Sequence, residues 1–184
     1  MLETKRLLIR EFSLEDAEDV HVYASNPEVA KYMIWGPNTE ADTKAFIRLA
    51  LEMRKQEPRR VYEFAAVLKS NGSLIGGCGI HVSEPSQGEI GYCFHPDYWR
   101  QGYASEAAKA MLWFGFRRLG LHRIYATCRP ENIGSAKVMQ KIGMKYEGHL
   151  RGHMRHKGQW HDSFQYSILE DEYEEDSTAE ARLL

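Results

Sequence analysis

In its middle this chain passes from a run of turn-linked strands to a helical period, and that change restricts the fold more than any other feature. Val61 to Lys69, Ser73 to Val82 and Glu89 to Phe94 read as short strands. Ser70-Asn71-Gly72 joins the first two, and Asn-Gly readily takes the positive φ of a hairpin turn. Pro85-Ser86-Gln87-Gly88 is a second turn signal. Strands joined by tight turns lie antiparallel. Beyond Phe94 the period becomes helical: Ala104, Ala107, Ala108, Met111, Leu112, Gly115 and Leu119 form one stripe. His122 to Cys128 then returns to strand. A strand–helix–strand crossover makes its two strands parallel. The expected fold is therefore α/β, with a mixed, mostly antiparallel sheet containing one parallel pair.

The flanks extend this plan. Arg6 to Arg10 reads as a first strand, and Ser13 with Asp16 has capping-box spacing ahead of Leu14, Ala17, Val20 and Ala24 on one helical face. A short helix is expected after Asn26-Pro27. Thr39 and Asp42 repeat the capping pattern before Ala45, Phe46, Leu49 and Met53. Asn132 and Gly143 bracket a further helix as N-cap and C′ residue. Met144 to His156 and Trp160 to Leu169 read as strands joined at Lys157-Gly158-Gln159. With 184 residues, one domain over 1–170 is expected. Residues 171–184 are expected to form an acidic, solvated tail, since six of the seven positions from Glu170 to Asp176 are acids.

Composition narrows the function. A chain with 43% hydrophobic and 27% charged residues can build a core. Lys and Arg total 24 against 26 Asp and Glu, so no basic excess points to nucleic acid. No apolar run approaches the ~20 residues that span a bilayer. The first residues lack a signal-peptide layout, and a cytoplasmic location is expected. Cys78, Cys93 and Cys128 are odd in number and form no CxxC, which argues against a disulfide framework or thiolate metal site. His149, His153, His156 and His161 crowd the last strands; His149 and His153 share parity while His156 does not, and there is no HExxH, so no metal is expected. His153 remains a candidate for an acceptor pocket.

The segment richest in chemistry runs from Tyr98 to Ala107. Gly102 lets the backbone turn where a strand hands over to a long helix, and the first amides of a helix point outward at its positive end. Arg100, Gln101, Gly102, Tyr103, Ala104 and Ser105 could so cradle a phosphate, with Arg100 adding a cation. The alternative is a glycine that merely turns the chain. The segment is neither a dinucleotide fingerprint, lacking G-x-G-x-x-G, nor a P-loop, lacking Gly-Lys-Ser/Thr.

GEIGYCFHPDYWRQGYASEA, from Gly88 to Ala107, resembles the acetyl-CoA-binding core of the GNAT family of N-acetyltransferases. Gly102-Tyr103-Ala104 matches the last three positions of that family's Q/R-x-x-G-x-G/A motif; Trp99 stands where the pattern has Gln or Arg, and Arg100 supplies a cation beside it. Asn132 to Met144 resembles the family's N-x-x-[AS]-x-x-[VL]-x-x-[KR]-x-G-[FM] helix. TKRLLIREFSLEDA, KYMIWGP and Gly158-Gln159-Trp160-His161-Asp162 are similar to the RimJ/RimL-like branch. Together these cover roughly residues 4 to 170.

The resemblance implies a seven-stranded sheet with a splayed parallel pair and helices on both faces. It implies acetyl-CoA as co-substrate, its diphosphate at Arg100 to Ser105 and its pantetheine arm along Tyr92-Cys93-Phe94. The Phe94 amide would polarise the thioester carbonyl. Asn132 would meet an arm amide besides capping its helix, and Lys141 either reaches the 3′-phosphate or lies on a solvated helix face. Glu89 stands where several branches keep a general base, though an exposed strand glutamate is the plainer reading. Ser135 matches a serine given the acid role, or is a plain helix residue with capping geometry. The tyrosine many members use as acid is Met139 here. Trp35 would shape the acceptor pocket. Cys93 with His95 raises covalent acyl transfer as a further reading, set below direct transfer. The implied activity is direct acetyl transfer, in a ternary complex, to a primary amine: a protein N-terminal amine or a small-molecule amine. The alternative is a non-catalytic CoA-binding sensor or scaffold. A homodimer is compatible with either.

Overall fold

Nine strands form among the described residues of the computed structural model, which are 1–84, 86–174 and the backbone of 182–183, and burial alternates clearly along the strand Arg123–Cys128, where Ile124, Ala126 and Cys128 are buried. They are β1 (Leu2–Glu3), β2 (Leu7–Glu11), β3 (Val61–Leu68), β4 (Leu74–Ser83), β5 (Gln87–Phe94), β6 (Arg123–Cys128), β7 (Lys145–His156), β8 (Gln159–Leu169) and β9 (Arg182–Leu183). One sheet orders them β7-β8-β6-β5-β4-β3-β2-β1-β9. Only β5 and β6 pair in parallel; every other neighbouring pair is antiparallel. The count exceeds the expected seven because β1 and β9 add two-residue strands at one edge, too short for any periodicity to reveal. Pro85, in the expected second turn, and most of the expected acidic tail, residues 175–181 and 184, lie outside the described residues.

The helices are α1 (Ala17–Ala24), α2 (Pro27–Ala30), α3 (Glu40–Met53), α4 (Tyr103–Trp113) and α5 (Ile133–Lys141). Asp16 takes the Ser13 amide at 2.7 Å and both Arg10 guanidinium nitrogens at 2.7 Å, which starts the chain into α1. Leu14, expected on the buried face, is exposed, because it falls in a 3₁₀ turn, Leu14–Asp16, before the α-helical period begins. In α3 the buried positions are Thr43, Ile47 and Ala50 rather than Leu49. At 100° per residue, a helix seated on Ile47 turns Leu49 toward solvent.

Helices cover both faces of the sheet. On one, Ile9, Phe64, Ile80, Ile90 and Ile124 pack under Met111 and Leu112 of α4 and Met139 of α5. On the other, Ala65 and Val67 meet Val20 and Tyr23 of α1 and Ile47 of α3. Each such side chain contributes about 1.5–3 kcal/mol when removed from water. Among the described residues, no helix is long and apolar enough to cross a membrane.

Candidate active site

The parallel pair comes apart partway. β5 and β6 pair at Gln87/Arg123, Gly88/Ile124 and Glu89/Tyr125, and no further. Along β4 and β5 the His95 amide bonds the Ile75 carbonyl at 2.9 Å. Antiparallel alternation then directs the backbone groups of Ile90, Tyr92 and Phe94 away from β4, toward the gap. An extended arm entering there could add itself to β5 as a strand does. Trp99 Nε1 donates to the Phe94 carbonyl at 2.7 Å, fixing the strand end to the following loop.

That loop leads into α4. Gly102 is its N-cap at φ +87°, ψ 0°, and no side chain caps the helix. The first intrahelical bond runs from the Glu106 amide to the Gly102 carbonyl at 3.0 Å, so the amides of Tyr103, Ala104 and Ser105 precede it. Arg100 also has positive φ, +61°, and its exposed guanidinium has no partner among the described residues. Gln101 is exposed, its amide nitrogen donating to the Asp97 carbonyl at 2.7 Å. The free amides at this helix start, with the Arg100 side chain, make it electropositive. Arg6 and Glu106 brace it from behind. The Glu106 carboxylate accepts the Thr4 hydroxyl, the Arg6 amide and Arg6 Nε, each at 2.7 Å. Arg6 Nη1 donates to the Gln101 carbonyl at 3.0 Å, and its guanidinium lies 4.1 Å from the Tyr103 ring centre. Burial pushes the Glu106 carboxyl up, and those donors outweigh it, leaving it below the usual range. Sequence reading missed this brace; Glu106 lay inside the quoted motif, but nothing local links it to Arg6.

Across the gap stands α5. Asn132 Oδ1 accepts the Ser135 amide at 3.1 Å, which is the N-cap role expected of it. The Ser135 hydroxyl lies 3.0 Å from the Tyr92 hydroxyl, which also donates to the Ser135 carbonyl at 3.2 Å. Burial pushes the Tyr92 phenol up. Met139 is 0% exposed and has no proton to give. Lys141 is exposed, at the far end of α5 from Asn132. Arg129, just before this helix, is 8% exposed with Nη1 unpaired, and burial lowers its pKa. Buried guanidinium nitrogens are normally satisfied, so this one suits an oxygen of a bound molecule.

Glu89 shares its face of the sheet with Gly91 and Cys93, as alternation requires, and accepts from Thr127 Oγ1 at 3.2 Å. It is half-buried rather than directed to bulk water. Cys93 and Trp35 border the α1–α3 core together. Burial pushes the Cys93 thiol up to about 12, so it is no ready nucleophile. The late histidines disperse: His149 pairs with Asp162 at 2.7 Å, and His153 Nδ1 lies 3.1 Å from Ser163 Oγ. Among the described residues, no group of side chains could hold a metal ion. A shallow groove lined by Leu14, Arg48, Leu51, Glu52, Arg54 and Lys55 lies against α3 and contains none of the candidates.

Residues 6–145 match the family model described as an acetyltransferase (GNAT) domain. The chain belongs to the GNAT family. It is an N-acetyltransferase with acetyl-CoA as donor. It is 42% identical over 178 residues to the uncharacterized N-acetyltransferase YnaD of Bacillus subtilis, covering 94% of this chain and 98% of that one. It is 25% identical over 173 residues to the spermidine N(1)-acetyltransferase of Escherichia coli, covering 90% and 87%. A crystal structure of a GNAT-family acetyltransferase from Bacillus anthracis superposes with TM-score 0.82 at 41% identity, covering 93% and 99%. The residues of this GNAT chain suit the coenzyme: open amides at α4, a strand edge bared at the splay, and an unpaired buried arginine nitrogen nearby.

Proposed function

We propose that this N-acetyltransferase moves acetyl directly from acetyl-CoA to a primary amine bound in the same complex. The parting of β5 from β6 and the start of α4 without a side-chain cap support this reading most, because a bared strand edge suits the arm and free helix-start amides suit a diphosphate. The amides of Arg100 to Ser105, with the Arg100 side chain, hold the diphosphate; Cys93 and Phe94 flank the arm; Asn132 meets an arm amide, and Lys141 the 3′-phosphate. The Phe94 amide donates to the thioester carbonyl oxygen as negative charge builds there. The amine nitrogen bonds the acetyl carbon as the carbon–sulfur bond breaks. Glu89 takes the proton the amine gives up, and the Ser135 hydroxyl supplies one to the departing sulfur. Trp35 and His153 border the acceptor. The spermidine-acetylating relative supports a small-molecule amine over a protein N-terminus.

Thiol release from acetyl-CoA over an amine panel tests this. The expected outcome is amine-dependent release, with Glu89→Gln lowering kcat about 10²–10⁴-fold, the range of general-base contributions. Coenzyme binding without release on any amine favours the sensor reading, which Met139 at the acid position supports.

A further inference from the structure

β7 and β8 run on past the rest of the sheet. β6 pairs β8 from Arg123/Leu169 to Cys128/Phe164 and stops, so from Ser163 to the turn at Lys157-Gly158 β8 has only β7 beside it. β7 is an edge of the sheet, and none of its residues is buried.

Pairing puts Tyr146 with Tyr166, His149 with Phe164, and Arg155 with Trp160, and alternation along β8 sets all of them on one face. The ring contacts agree. Tyr146 meets Tyr166 and Phe164 edge-on, with centres 5.3 and 5.5 Å apart, and His149 meets Phe164 at 5.3 Å. Tyr166 ties the inner end of this row to the core. Outward the rings are open: Tyr146 is 52% exposed and Trp160 65%. Trp160 lies four residues from Phe164 along β8, about 14 Å away. The face thus offers two aromatic stations, Tyr146 with Phe164 and His149 at one, Trp160 with Arg155 at the other. Leu150 and Met154 lie on the opposite face, abreast of Ser163 and His161.

Charge on the ribbon departs from that of the chain. From Gly148 to His161 there are three cations, Arg151, Arg155 and Lys157, with four histidines and no acid. Among the described residues Arg155 and Lys157 make no hydrogen bond or ion pair. The flanking acids are taken. Glu147 is held by Arg123 and the Gln165 side-chain amide. Asp162, between the two stations, accepts the Gly152 amide at 2.8 Å and lies 2.7 Å from His149, with Arg151 near enough to favour its charge. Exposed rings spaced along strands and flanked by unpaired cations suit a single strand of nucleic acid, whose bases stack on the rings while its phosphates meet the cations. A duplex keeps its base faces inside the stack. A second copy of this ribbon would set Arg155 and Lys157 against their own kind, with no acid to receive them. A bilayer needs a broader apolar face than one indole among charges.

We propose, independently of the acetyl-transfer reading, that this face of the β7–β8 ribbon binds single-stranded nucleic acid. One base stacks at Trp160 and another at Tyr146, and Arg151, Arg155 and Lys157 hold the phosphates beside them.

Fluorescence anisotropy of short labelled RNA and DNA single strands, and of the matching duplex, tests this at low salt. The expected result is tighter binding of a single strand than of the duplex; the two single-strand arms tell RNA from DNA, and either one upholds the platform. Trp160→Ala is expected to weaken binding roughly ten- to hundredfold, the range of one stacked base, while Trp160→Phe keeps part of it. Arg155→Gln is expected to lower the slope of log affinity against log salt by about 0.7, one phosphate contact. Thiol release from acetyl-CoA is expected to stay at its native rate in these variants, which shows them folded. Equal affinity for single strand and duplex, no loss in Trp160→Ala, or no binding of any oligonucleotide would overturn the proposal. So would a dimer in sedimentation that Trp160→Ala dissociates, or capture by phosphatidylserine vesicles without binding of oligonucleotides, since either gives the face another occupant. Acetyl transfer stands or falls separately.

Discussion

Replacing Gly102 with alanine separates a phosphate cradle from a plain chain turn. At φ +87° any residue with a Cβ is strained by roughly 1–2 kcal/mol. In a chain of 184 residues that lowers Tm by about 2–8 °C. No packing clash adds to it, since the new Cβ would meet only Arg6 Nη2, at 3.4 Å. The cost in binding has another source. The strained backbone relaxes and turns the amides of Tyr103 to Ser105 away from the position a phosphate would take. Each charge-assisted bond lost from amide to phosphate is worth about 1.5–3 kcal/mol. One such loss weakens CoA about ten- to hundredfold. Calorimetric titration with CoA reads the second effect and thermal melting the first. Gly72→Ala is the control: φ there is +76° and its Cβ would touch nothing within 4 Å, so a similar fall in Tm is expected with CoA affinity unchanged. Gly102→Ala with affinity within about twofold of the native protein refutes the cradle, whatever its Tm.

Glu106→Gln removes the charge that binds Thr4 and Arg6, and an expected cost of about 1–3 kcal/mol should appear in denaturant melts near neutral pH. Because the folded carboxyl lies below its ordinary 4.5, its stabilisation is in place above that value and is lost as pH falls through the lowered folded value. The two proteins should therefore converge in stability on acidification, and a constant gap would exclude the charge as its cause. Burial raises all three thiols, Cys93 to about 12 and Cys128 to about 11. A disulfide reagent at pH 8 should accordingly react slowly with the native protein and titrate three thiols once it is unfolded; one fast thiol in the native state would revive covalent transfer.

What the sequence disclosed depended on distance along the chain. The strands, the crossover, the Asn132 cap and the amide-rich start at Gly102 are local signals, each written within a few residues, and all appear in the structure. The face of Glu89 was legible too, since alternation alone assigns it. The expected faces of α1 and α3 slipped at Leu14 and Leu49 because the pattern does not say where the first α-helical turn begins or which stripe the sheet selects.

The residues that brace the site were hidden for a different reason. Arg6 and Glu106 lie a hundred positions apart, and Tyr92 and Ser135 forty-three. Glu63 meets His81 only through the β3–β4 register, and the bulge between Ala66 and Val67 shifts that register at the hairpin end. A reading of spacing alone counts residues from the Asn71-Gly72 turn and so has no means of anticipating the shift. The same bulge therefore sets which β3 side chain lies abreast of Gly79. Moving the pairing by one residue would turn Glu63 to the opposite face and bring Tyr62 or Phe64 in its place. The Glu63–His81 contact is thus a property of pairing, and composition, with its near-neutral balance of 24 basic and 26 acidic residues, carries no trace of it.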